Sequence, residues 1–330
     1  MSGTRTYSYK VAEQTFVVAA PESFDIERLL PSFAPFRVSD VASVASTGSV
    51  TGKGSSLSMP KGLTHRQAHV SDEMCLDSEL LFRFTLQSKP IDIPKNAERV
   101  EEDENDMGHT RLSKTWDGSY YLELGYHDTG IFIANPDFSL ITASIDVDSP
   151  DCGPILTSML RIAFAQAVIL RDGISIHAST VAKDGKAFLF LGKSGTGKST
   201  HSRMWLRNIP GSRLLNDDNP VVRLIDGKPV AFGTPWSGKT PCYRNESYPV
   251  GGIVRLVQGD ADIFTEKDEV AAFVALLPSC SVVHSDSGLQ SRLCDTLTRI
   301  IELVPVGELR CLPDNESAII CYNNLISLIK

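Results

Sequence analysis

The sequence has little that would carry it to nucleic acid or to a membrane. Across its 330 residues basic side chains do not dominate: 32 Lys and Arg stand against 40 Asp and Glu, a formal net charge of −8. A protein that binds nucleic acid by neutralising phosphates normally carries a basic face, so nucleic acid is not an expected partner; one local basic pocket for a polyphosphate is compatible with the total. The N-terminal stretch MSGTRTYSYK lacks the apolar core of about 7–15 residues that a signal peptide requires. No apolar run approaches the roughly 20 residues that span a bilayer. The best candidate, Ile155 to Leu170, is interrupted by Thr157, Ser158, Arg161 and Gln166. The seven cysteines form no C-x-x-C pair, and Cys280 and Cys321 sit among apolar neighbours. Dispersed in this way they read as reduced, buried small hydrophobes rather than disulfides or metal ligands. No repeat of fixed period is visible. The expectation is a cytoplasmic, soluble protein with no membrane partner; a homo-oligomer is compatible with the sequence.

What is present is an ordinary globular composition, 42% hydrophobic and 22% charged, in a chain long enough for two domains. Residues 1–150 carry short β-like runs: Tyr7–Val11, Thr15–Ala20, Leu80–Leu86, Tyr120–Leu124, Gly130–Ala134 and Ser139–Ile145. Residues 42–62 are rich in Ser and Gly and read as a loop. The acidic run Glu98 to Asp106 reads as a solvated hairpin tip rather than an acidic docking surface. Ser149-Pro150-Asp151 has the form of a helix start, with Ser149 as cap and Pro150 in the first turn, ahead of an apolar helix over about 155–171. From 174 the pattern is of apolar strands (174–182, 186–191, 213–215, 220–225, 229–232, 253–257 and 306–312) and helices (268–277, 287–303 and 315–329). The boundary is placed near 150. This predicts a β-rich (α+β) N-terminal domain, 1–150, suited to substrate or partner recognition, and an α/β domain, 151–330, that holds the chemistry.

The strongest local signal is Lys186-Ala-Phe-Leu-Phe-Leu-Gly192-Lys193-Ser194-Gly195-Thr196-Gly197-Lys198-Ser199-Thr200. It matches G-x-x-x-x-G-K-[ST], with an apolar strand before it and a helical run after it. Glycines let successive N–H groups turn inward on phosphate oxygens, and the helix points its positive end at the anion. Residues 192–200 would hold ATP, with Lys198 bridging the β- and γ-phosphates and the Ser199 hydroxyl on Mg²⁺. Adenine is favoured because no [NT]-K-x-D guanine-reading motif is present. The pattern recurs at Gly233-Thr-Pro-Trp-Ser-Gly238-Lys239-Thr240, but Pro235 removes an N–H from the cradle, and Pro241, Pro249 and Gly251-Gly252 leave no room for a helix. It is rejected as a second cradle; Lys239 is either a surface lysine or one that faces the transferred phosphoryl. Gly48 to Lys53 has the wrong spacing, and Arg66 between His65 and His69 stands where a zinc-protease motif needs Glu.

Asp217 and Asp218 end a short apolar strand eighteen residues beyond Ser199. As parallel neighbours, that strand and the one before the loop should end at one edge, so that the carboxylates face the loop and can divide metal binding and proton acceptance. His177, on the strand preceding 186–191, is by itself most simply a core histidine.

Together, His177-x-Ser179, the 192–200 loop and Asp217-Asp218 make segment 174–225 resemble the nucleotide site shared by HPr kinase/phosphorylase and ATP-dependent phosphoenolpyruvate carboxykinase. Residues 252–258 and 304–314 are similar in texture to HPr-kinase-like proteins lacking the HPr kinase N-terminal domain. The resemblance implies a C-terminal P-loop kinase domain of that type, in which the loop's helix returns directly into the strand with the Asp pair. It also implies an active-site His177, a metal ligand in the carboxykinases and close to the transferred phosphate in the HPr kinases. Asp217 and Asp218 would share base and metal roles. The oxaloacetate-binding Arg and Lys elements of carboxykinases and the HPr kinase signature loop are not found. The expected activity is ATP- and Mg²⁺-dependent transfer of the γ-phosphoryl group to a hydroxyl of a protein, peptide or small molecule, with reverse transfer to inorganic phosphate allowed. The alternatives are a carboxykinase-type enzyme and an ATP-gated binding module without turnover. The sequence does not say which aspartate is the base.

Overall fold

The computed structural model describes residues 3–38, 80–105, 108–125 and 127–329. The Ser/Gly-rich segment 42–62, the Gly48–Lys53 spacing, His65, His69 and Cys75 lie outside the described residues. The chain is a mixed α/β structure with two large sheets.

The first sheet is built from β1 (Thr4–Val11), β2 (Gln14–Pro21), β3 (Arg37–Val38), β4 (Phe82–Gln87), β5 (Glu98–Asn105), β6 (Gly108–Lys114), β7 (Tyr120–Gly125), β8 (Thr129–Ala134) and β9 (Leu140–Ser144). Its order is β3-β1-β2-β4-β9-β8-β7-β6-β5. Period-two alternation sets the buried face, with Phe82, Phe84 and Leu86 of β4 and Leu122 and Leu124 of β7 pointing inward. A short helix α1 (Ile26–Leu29) and a 3₁₀ turn (Pro31–Phe36) precede β3 and bring in Ile26, Phe33 and Phe36.

The acidic run is a strand rather than a hairpin tip. β5 pairs antiparallel with β6 from Glu98, opposite Lys114, to Asn105, opposite Gly108. Glu102 accepts from Arg99 at 2.8 Å and Arg111 at 3.2 Å, and His109 Nε2 lies 3.1 Å from it. Hydrogen bonds from Arg111, then the neighbouring arginine charges, outweigh partial desolvation and hold the Glu102 carboxyl below its ordinary range. Cross-strand opposite charges offset the repulsion that made the run look unfit for a sheet.

Helix α2 (Cys152–Ile169) connects the sheets. Its cap is Asp151, not Ser149: the Asp151 N–H donates to Ser149 Oγ at 3.0 Å, an Asx-like turn that delays the helix by two residues. α2 is apolar nearly all round because it is buried against both sheets; Phe164 lies 6.0 Å from Phe16 and 5.2 Å from Trp236, centroid to centroid. One hydrophobic core therefore runs through Phe16, Phe82 and Phe132 of the first sheet, α2, and Ile174, Leu189 and Leu215 beyond it.

The second sheet contains β10 (Gly173–Ser175), β11 (Ala178–Lys183), β12 (Lys186–Leu191), β13 (Arg213–Asp218), β14 (Val221–Ile225), β15 (Lys228–Phe232), β16 (Ser247–Gln258), β17 (Ile263–Glu266) and β18 (Val306–Cys311). Its order is β10-β14-β15-β16-β12-β11-β13, with β18 also beside β16 and β17 beside β18. α3 (Lys198–Asn208) and α6 (Asn315–Leu328) cover one face over Phe188, Phe190, Trp205, Val254 and Leu325. α4 (Glu269–Leu276) and α5 (Ser287–Leu303) feed Leu276, Leu293 and Leu297 into the larger core. The single strand expected over 174–182 is broken: the Ile176 N–H donates to Pro220 O at 3.1 Å and the His177 N–H to Ser279 O at 2.7 Å, so the chain leaves β14 and joins β12 and β13.

Candidate functional site

β12 is buried along Ala187–Leu191 and delivers the chain to the glycine-rich loop at one end of the sheet. Gly197, with φ +98°, is the residue before α3; a side chain there would be strained, and glycine lets the loop turn directly into the helix. Lys193, Ser194, Gly195 and Thr200 are exposed, while Gly192, Thr196, Gly197, Lys198 and Ser199 are half-buried. The loop is closed on itself: Thr196 donates to Lys193 O through its N–H at 3.1 Å and also through its hydroxyl. Lys198 Nζ reaches back to Gly192 O at 2.9 Å. Burial lowers its pKa, opposed by the charges of Asp218 and Asp217, which places all three groups within electrostatic reach.

The Asp pair arrives at this edge by a route the sequence did not reveal. β13 is not the parallel neighbour of β12; β11 lies between them, antiparallel to both. Ala178 pairs with Leu191 on one side and Asp218 on the other, so β12 and β13 point the same way and end level. Successive residues of β13 face opposite sides. Asp217 is only 4% exposed. It accepts from Ser179 Oγ at 2.7 Å, and Ser179 shares a 2.6 Å hydrogen bond with Ser202 of α3. Its other oxygen, Oδ2, is buried without a partner. Asp218 is more open: Oδ1 lies 3.4 Å from His177 Nδ1, and Oδ2 accepts from Asn219 Nδ2 at 2.6 Å. Burial lowers the His177 pKa, Lys198 lowers it further and Asp218 partly opposes them.

Sequence reasoning missed the frame of the pair. Asn216 is wholly buried; its Oδ1 accepts the N–H groups of Asp218 (3.0 Å) and Asn219 (2.9 Å). Its Nδ2 donates to Trp236 O at 3.0 Å and Thr234 Oγ1 at 3.1 Å. An Asn one residue before an Asp-Asp turn is the signal that was available. Ser202 had none beyond lying one helical turn past Ser199.

The second G-x-x-x-x-G-K-T stretch is folded onto the Asp pair, with no helix after it. Gly238 N donates to Asp217 O at 3.0 Å, and Ser237 bridges Asp218. A Cβ on Gly238 would stand 2.7 Å from Asp217 O. Trp236 is buried against Phe33 (5.7 Å) and Phe164, and its indole N–H donates to Thr157 O at 3.1 Å. Lys239 is exposed beside this turn.

The residues present fit the groups expected here. An orphaned carboxylate oxygen beside a hydroxyl-lined helix suits a hard cation, and a glycine-rich loop, exposed over 193–195 and leading into a helix N-terminus, suits phosphates. No family model matches the chain, and no curated protein matches it. Among solved structures it is similar to the Hpr(Ser) kinase/phosphatase from Coxiella burnetii, at 13% identity and a TM-score of 0.29, covering 47% of this chain and 97% of that one. That likeness is distant, and the functional reading rests on the site's own geometry.

Proposed function

We propose that this chain is an ATP- and Mg²⁺-dependent phosphotransferase that moves the γ-phosphoryl group to a hydroxyl, through a P-loop domain of the HPr kinase type. The observation that carries the reading is the unpartnered, buried Oδ2 of Asp217 at the edge where Lys198, Asp218 and His177 meet. The N–H groups of 193–198 would bind the phosphates, and Ser199 with Asp217 would hold the metal. Mg²⁺ bound there supplies charge neutralisation for the phosphate oxygens. Lys198 would leave Gly192 O to meet the β- and γ-phosphates. Asp218, the more open carboxylate, would accept the acceptor's hydroxyl proton as its oxygen bonds to the γ-phosphorus and the β–γ bridging bond breaks. His177, kept largely uncharged at neutral pH by burial and Lys198, would orient that carboxylate without neutralising it. Residues 1–150 would bear on the acceptor and 151–330 on the nucleotide.

Incubation with γ-labelled ATP and whole-cell extract tests this. Label in a protein or metabolite, lost in Asp218→Asn, is expected. Mg-ATP binding that survives both Asp217→Asn and Asp218→Asn with no turnover in the native protein would instead identify a nucleotide-gated binding module.

A further inference from the structure

Resting on that reading, we propose that Asp286 is a positioning residue for His177: held by the first sheet, it fixes through the segment 279–286 where the His177 ring stands against Asp218. The His177 end of that segment is main chain on main chain. Residues 175–177 carry the chain from the end of β10 to the start of β11. Along them the Ser281 N–H donates to Ser175 O at 3.0 Å, Cys280 bridges Ile176, and Ser279 O takes the His177 N–H at 2.7 Å. The His177 ring meets Asp218 Oδ1 at 3.4 Å, long for a hydrogen bond, so its place follows the main chain that carries it.

The other end is anchored on the first sheet. Asp286 Oδ2 accepts from Lys114 Nζ of β6 at 3.1 Å and from the hydroxyl of Tyr120 of β7. Lys114 also donates to the Tyr120 hydroxyl at 2.8 Å, and the Tyr120 ring is buried, stacked 5.0 Å from that of Phe138. Asp286 Oδ1 caps α5 by accepting the Leu289 N–H at 2.9 Å. Burial works against the ionised carboxyl, but hydrogen bonds from Tyr120, the Leu289 N–H and Lys114 bring its pKa down to about 2, so the anchor is charged at neutral pH. Beside it the Ser285 N–H donates to Glu101 Oε1 of β5 at 2.9 Å.

Between the two ends, residues 281–286 belong to no helix or strand. The Val283 N–H donates to the buried Gln166 Oε1 of α2 at 2.9 Å. A segment without a ladder of its own takes its position from its anchors, so releasing Asp286 from Tyr120 and Lys114 shifts 279–281 and, with them, the main chain of His177. A displacement of about 1 Å at a reacting centre can cost on the order of 100-fold in rate, so a partial shift is enough to be read in kcat. The first sheet thereby contributes to the candidate site without touching it.

The test is NMR of isotope-labelled histidine rings at one fixed pH, with kinetics on the same samples; the His177 signal is assigned by its loss in His177→Asn. Two variants release the anchor: Tyr120→Phe removes only a hydroxyl, and Asp286→Asn keeps a residue able to cap α5. In both, the His177 signal is expected to move while that of His201, buried on α3, stays. In both, kcat should fall about tenfold, with KM for Mg-ATP within about twofold of native. Asp314→Asn, the same change at the cap of α6, should leave the His177 signal and kcat as in native protein. An unmoved His177 signal in both variants, an unchanged kcat, or an equal effect of Asp314→Asn overturns the proposal. Movement of His201 together with His177 also overturns it, since that reports general loosening. Label transfer by native protein with His177 unmoved in both variants removes the positioning role alone. Movement of His177 in a protein whose native form transfers no label removes the phosphotransferase reading alone.

Discussion

The chain spells G-x-x-x-x-G-K-[ST] twice, at 192–199 and at 233–240, and folds the two copies to opposite ends. The first leaves a buried strand, turns through a left-handed glycine and starts an eleven-residue helix, with its lysine folded back on the loop's own carbonyl. The second spends its middle residue, Trp236, on the hydrophobic core and its second glycine's N–H on the main chain of Asp217. One copy turns into a helix N-terminus; the other packs onto the Asp pair through the Gly238 N–H. The difference lies outside the pattern: a helix-compatible run follows Lys198, and Pro241 follows Thr240. The same eight-residue pattern takes its conformation from what it runs into.

The contrast between the copies breaks most visibly at Trp236. Trp236→Ala should cost about 3–5 kcal/mol of stability by denaturant unfolding; a loss under about 1 kcal/mol would mean that the second copy is not a core element. Next is the seating of the first copy's helix. His201, on the buried face of α3, has its pKa brought down to about 4 by burial, from an ordinary 6.5. The fold therefore favours the neutral ring, and stability present above about pH 6.5 should be lost as pH falls towards 4, by roughly 3 kcal/mol. The difference in unfolding free energy between native protein and His201→Leu should carry that dependence; a flat difference curve contradicts it.

Smaller effects sharpen the contrast. Gly238→Ala places a methyl against Asp217 O and should cost about 1–3 kcal/mol, with phosphoryl transfer falling more than Mg-ATP affinity, since the second copy and not the first is disturbed. Kinetics and nucleotide titration on the same sample separate the two. Smallest is Ser202→Ala, which removes one hydrogen bond between α3 and Ser179 and should cost about 1 kcal/mol in thermal unfolding.

Legibility in the sequence followed how local the determinant was. The loop 192–200 and α5 were readable because their signals are contiguous: a strand, glycines and a lysine in one case, and in the other a strongly two-sided helix whose cap, Asp286, accepts the Leu289 N–H at 2.9 Å. The Asp pair was readable as a pair, but its neighbour was not, because nothing near Asp217 encodes that β11 inserts beside it. The break at His177 was hidden in a run, 174–182, that alternates like one strand, since its cause is the distant Ser279 and Pro220 carbonyls. β5 was missed because Arg111 and His109, which face Glu102, sit on another strand.

The most direct test is one calorimetric titration series with Mg-ATP on native protein, Lys198→Ala and Lys239→Ala. A single site is expected in the native chain, weakened about 100-fold or more, roughly 3 kcal/mol, by Lys198→Ala and less than about threefold by Lys239→Ala. Equal losses from the two substitutions, or native-like affinity in Lys198→Ala, would contradict the assignment of the first copy as the nucleotide cradle.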